Sequence, residues 1–167
     1  MATQLRPGLS SSEVEEALRP LGLHPSTELV EWFGRHNGAG RPGASHLEAQ
    51  FPPGTELGPM ALMVKEYRES LEAAADLEEG TGFEAEWFWK PTWFPIARLV
   101  GGGVLVLDLV DPSSPTSPVH AVWWESGPTN SWPSLAAFAR FALHGLASGR
   151  FIVGPDGVVD GPALDDV

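Results

Sequence analysis

The chain has 167 residues (17.9 kDa), 43 % of them hydrophobic and 19 % charged, with a net charge of −12 from 22 acidic and 10 basic side chains. That length and composition suit one globular domain with a sizeable core. The absence of cysteine excludes disulfides, thiolate nucleophiles and Cys-ligated metals, and the acidic balance argues against a nucleic-acid partner.

The elements follow in chain order. Ser10 to Ser12 offer helix N-caps with capping-box partners, Ser10 with Glu13 or Ser12 with Glu15. Val14, Ala17, Leu18 and Leu21 then recur at helical spacing up to Gly22. A second helix is expected from near Pro25, with Leu29, Trp32, Phe33 and His36 towards one side and Asn37-Gly38 as its left-handed cap. Residues 39–59 are rich in Gly and Pro and read as a loop. Met60, Val64, Tyr67, Leu71 and Ala74 mark a third helix, whose other side aligns Glu69, Glu72, Asp76 and Glu79.

Strand-like runs are expected at 86–89, 93–97, 104–110 and 119–124, with Gly101-Gly102-Gly103 as a hairpin turn. The proline-punctuated stretch Asp111 to Pro118 reads as a hairpin connection. Trp132-Pro133 opens a last helix closed by Gly149, and Phe151 to Val159 form a small hairpin around Asp156-Gly157. Helices, then strands, then a helix predict a single α+β domain, its mostly antiparallel or mixed sheet covered by helices.

No metal site or cofactor is expected, because the five histidines lack the paired spacings of ligands. The glycine triplet leads into a strand without a following Lys, which is a turn and not a phosphate cradle. Glu84 and Glu86 would share one face of a strand, as an acid–base pair could, but the same spacing arises on any solvated acidic edge. No Ser/His/Asp set stands out, so no enzyme is expected, with a Glu84/Glu86 hydrolase as the minor alternative.

Eight of the 22 acids lie between Glu66 and Glu86 with one base, Arg68, and lead directly into Trp87 and Trp89. Such a run is commonly a solvated face. Its like charges are little relieved by Lys65→Glu69 and Arg68→Glu72, which sit in the weaker i,i+4 orientation. A basic protein meeting this face would make sense of it. The expected contact set is Glu69, Glu72, Asp76, Glu79, Glu84 and Glu86 for charge, with Trp87, Trp89 and Trp123 as anchors. Core packing is the competing explanation for the tryptophans.

The motifs taken together resemble the SUKH superfamily. Pro25 to Gly38, with Trp32 and His36-Asn37-Gly38, resembles that family's second helix and exit. Trp93-Phe94-Pro95-Ile96-Ala97, a glycine turn and Val104 to Asp108 resemble its paired strands, and Gly149-Arg150-Phe151 its closing exit. The likeness covers residues 9–153, with 1–8 as an extension and 154–167 as an acidic tail. Two features depart from the pattern: three glycines stand where Asp or Asn usually accompanies Gly, and the proline loop is long.

The resemblance implies binding rather than catalysis, with Trp32, His36, Asn37, Gly38, Pro95 and Asp108 as structural motif residues. The expected role is an immunity protein that neutralises a cognate toxin, such as a basic nuclease, with a regulatory scaffold of the fungal cell-wall type as the alternative. No membrane span or signal pattern is found, so a cytoplasmic protein is expected, with a protein partner, no nucleic acid and no membrane contact.

Overall fold

The computed structural model describes residues 5–39, 54–81, 84, 86, 88–124, 126–154 and 159–162. Helix α1 (Ser11–Leu18) starts on the first of the two expected capping boxes. The Glu13 N–H donates to Ser10 Oγ at 3.3 Å and the Ser10 N–H to Glu13 Oε2 at 2.8 Å. Val14 and Leu18, four apart, are fully buried, and a short 3₁₀ turn, Arg19–Leu21, ends at Gly22 with φ +72°. Helix α2 (Thr27–Arg35) is capped by Ser26, whose Oγ accepts from the Leu29 N–H at 3.4 Å. Pro25 therefore precedes the cap and does not open the first turn, because the Ser26 hydroxyl supplies the acceptor the orphan N–H groups need.

Strand β1 (Thr55–Glu56) lies in a stretch expected to be loop, and helix α3 (Met60–Thr81) follows it. Then come β2 (Trp93–Leu99), β3 (Gly103–Asp108), β4 (Val119–Trp123), β5 (Gly127–Trp132), helix α4 (Leu135–Ala147) and a separate pair, β6 (Ile152–Val153) with β7 (Val159–Asp160). The five-stranded sheet has the order β1-β2-β3-β4-β5, and every pairing is antiparallel. The α+β architecture holds, and the sheet is a simple meander rather than a mixed one.

Gly101 and Gly102, with φ of +103° and +101°, make the β2–β3 turn as expected. The loop at 111–118 joins the paired strands β3 and β4. Two expectations fail. Among the described residues, 84–92 contain no strand, and α4 begins at Leu135 on an Ser134 cap, because Trp132 closes β5.

β3 is buried along Gly103 to Leu107, so both faces of the sheet are covered. Register sorts the two faces. Phe94, Leu107 and Val119 align on one, where Phe94 meets Phe33 of α2 at 6.5 Å and Tyr67 of α3 at 6.2 Å. Trp93, Asp108 and His120 lie on the other, roofed by side chains rather than a helix. There Trp89 packs edge-on against Trp93 at 6.0 Å and stacks on Trp124 at 6.1 Å. The Tyr67 hydroxyl donates to the Pro91 carbonyl at 2.7 Å and ties the roofing segment to α3. That crossing over the sheet is why the 86–89 run is not a strand of it. Each fully buried Leu or Val of β3 contributes about 1.5–3 kcal/mol.

Candidate functional site

Helix α3 presents the charged surface. Its Met60, Met63, Tyr67, Ser70 and Ala74 are buried, which turns Glu69, Glu72, Asp76 and Glu79 outward on the opposite side, all exposed. Among the described residues the one ion pair touching this row is Lys65–Glu69, 3.3 Å long and with both side chains more than half exposed. Such a pair offsets little of the repulsion among neighbouring carboxylates. Glu84 and Glu86 are exposed beyond the helix, off any strand, so the alternation that placed them on one strand face does not apply.

The aromatic expectations divide. Trp87 lies outside the described residues. Trp89, expected as a partner-facing anchor, is 1 % exposed and belongs to the core, because the segment carrying it folds over the sheet. Trp123 is half-buried, and its ring covers the glycine turn: a Cβ on Gly103 would stand 2.8 Å from it. Trp124, its neighbour on the opposite face, lines a groove with Glu56 of β1, Glu66 of α3 and Arg98 of β2. Glu56 and Trp124 were not among the expected contact residues. The adjacency of Trp123 and Trp124, which forces opposite directions along a strand, was the available signal.

The motif residues sit at junctions. His36 closes α2 and meets the Trp32 ring edge-on at 4.7 Å, and burial pushes its pKa below the ordinary value. Asn37 Oδ1 accepts from the Met60 N–H at 2.7 Å, so this side chain caps α3 from 23 residues away. Gly38 has φ +75°, and a Cβ there would lie 2.5 Å from Gly58 C and Pro59 N. The α2 cap is His36, in an extended conformation, so Asn37-Gly38 does not form the expected left-handed cap and instead joins the exit of α2 to the entry of α3.

Pro95 is buried on β2 opposite Val106, beside a bulge before Ala97. Asp108 accepts from Thr92 Oγ1 at 2.7 Å and lies 4.0 Å from His120 Nε2, while His120 Nδ1 and Ser131 Oγ are 2.7 Å apart. Burial depresses the His120 pKa; Asp108 opposes that shift and Lys90 adds to it. Among the described residues, no three His, Asp or Glu side chains converge as a metal site, and no helix is long and apolar enough to cross a membrane.

An antiparallel meander covered by helices on one face and tryptophans on the other, with His-Asn-Gly tying two helices together, defines a SUKH-type α+β domain. The chain belongs to the SMI1 / KNR4 family (SUKH-1), whose family model matches residues 8–140. A search of curated proteins gave no match. Membership is consistent with an immunity or regulatory role exercised through protein–protein interaction.

Proposed function

We propose that this protein is a non-enzymatic, cytoplasmic immunity protein that neutralises a cognate toxin carrying a basic surface, such as a nuclease. The observation that carries this reading is the exposed row Glu69, Glu72, Asp76 and Glu79 on α3, compensated among the described residues by Lys65 alone. A like-charged row costs stability and stays solvated, which suits fast, salt-sensitive capture of an oppositely charged partner. Glu84 and Glu86, exposed just past the helix, extend the acidic surface, and half-buried Trp123 at the glycine turn is the proposed aromatic contact.

The test is co-expression with toxin domains encoded at the same locus, followed by binding measurements at low and high salt. Protection of the host, with association that slows as salt rises and slows further when the α3 row is reversed to Lys, is the expected result. Partners that are neutral and held equally at high salt would overturn the electrostatic reading.

A further inference from the structure

A groove of about 540 Å³ opens at the end of the sheet where β2 turns into β3, lined by Glu56, Glu66, Arg98, the glycine turn and Trp124. Its charges do not balance. Glu56 and Arg98 are register partners across β1 and β2, so they are placed to pair. The Arg98 guanidinium turns instead to α3, with Nε donating to Glu66 Oε2 at 2.7 Å and Nη2 within 2.5 Å of the same oxygen. Glu56 is left half-buried, with no ion pair or hydrogen bond from its side chain to any described residue. A carboxylate partly withdrawn from water and lacking a counter-charge is stabilised by any cation that reaches it.

The rest of the groove narrows the choice of cation. Trp124 is half-buried and held by its stack on Trp89, giving an ordered indole beside the carboxylates. The turn offers no side chains at Gly101 and Gly102, and Val100 beside it is 54 % exposed. A flat cation on an apolar stem fits these surroundings: the plane against the indole, two N–H groups on the carboxylate, the stem along Val100. The groove is also continuous with the α3 row, since Glu66 stands three residues before Glu69, where the two neighbour each other on the helix surface.

We infer that this groove receives an arginine side chain of the basic partner, its guanidinium paired with Glu56 and stacked on Trp124. The inference rests on the immunity reading and locates that partner's anchor.

The probe is N-acetyl-arginine amide, titrated into the full chain and followed by amide and indole NMR shifts. Saturable, millimolar shifts at Gly101 to Gly103 and the Trp124 indole are expected, weakened about three- to fivefold in Glu56→Gln. The neutral citrulline amide should leave these signals in place. Equal shifts with citrulline or lysine amides, or an unchanged response in a folded Glu56→Gln variant, overturn the inference. Toxin protection decides the wider reading separately. If a basic toxin is neutralised through the α3 row while arginine amide leaves the groove untouched, the groove assignment fails alone. If arginine amide binds but no basic toxin is neutralised, the immunity reading fails and the site remains.

Discussion

Glu28 carries the largest predicted effect of a residue that sequence reasoning passed over. It lies in the first turn of α2, yet its carboxylate accepts three backbone N–H groups from distant chain: Ser117 at 3.3 Å, Leu135 at 3.0 Å and Ala136 at 3.1 Å. Leu135 and Ala136 open α4, so Glu28 shares the capping of that helix with Ser134, whose Oγ accepts from Ala137 at 3.1 Å. The Glu28 N–H also donates to the Pro115 carbonyl at 3.1 Å, fixing the proline loop onto α2.

Glu28→Ala removes a charged acceptor from three donors, each bond contributing about 1 kcal/mol after water competes for the exposed ones. The expected loss is about 2–3 kcal/mol, or a fall in Tm of roughly 5–10 °C in a domain of this size. Urea titration read by tryptophan fluorescence would show a lower midpoint at unchanged slope. Glu28→Gln should lie between, and Glu31→Ala, at an exposed position of the same helix, should stay within about 0.5 kcal/mol of the parent. A Glu28→Ala midpoint as close to the parent as the Glu31 control would refute the interlocking role.

Three further expectations follow from packing and titration. Trp89→Ala should cost about 3–5 kcal/mol in the same titration, as a core truncation does and an exposed anchor does not. Gly38→Ala forces a Cβ to within 2.5 Å of backbone at positive φ, so it should destabilise by more than about 1 kcal/mol, and Asn37→Ala by about 1 kcal/mol through the uncapped Met60 N–H. His36 and His120 are both depressed by burial, so below about pH 6.5 the unfolded chain binds protons that the folded one refuses. Their contribution is complete above that pH and is lost as pH falls towards the folded values. Urea midpoints should therefore drop between pH 7.5 and 5, and less steeply in a His36→Asn, His120→Asn variant.

The elements legible in the sequence are those whose burial is periodic. Val14 with Leu18, Leu29 with Phe33, and the Met60–Tyr67–Ala74 side of α3 each show helical spacing, and the glycine triplet between two apolar runs could hardly be anything but a turn. β5 was invisible because Gly-Pro-Thr-Asn-Ser-Trp, a half-exposed terminal strand, opens on two strand-breaking residues and shows no apolar alternation. The 86–89 run misled for the opposite reason: alternating aromatics read as a strand, whereas Trp89 is buried by a segment crossing the sheet.

The acidic row was legible because helical periodicity alone sets its direction. The groove was not, since Glu56, Glu66, Arg98 and Trp124 come from four separate stretches of chain, and only the register of β1 on β2 and the lie of α3 bring them together. The Asn37–Met60 and Glu28–Leu135 bonds, spanning 23 and 107 residues, escaped for the same reason.

The poverty of the two outermost strands bears on how this protein keeps to itself. Val104-Leu105-Val106-Leu107 is uncharged, β-prone and free of proline, the kind of segment that templates fibrils when a neighbour can add to it. It occupies the middle of the sheet, between β2 and β4, and the strands beyond them at the two ends make poor templates: two residues of β1, and a β5 that begins Gly-Pro and runs on mostly in polar residues. The features that hide β5 from a reader of the sequence also shield the stickiest strand of the fold from a second chain.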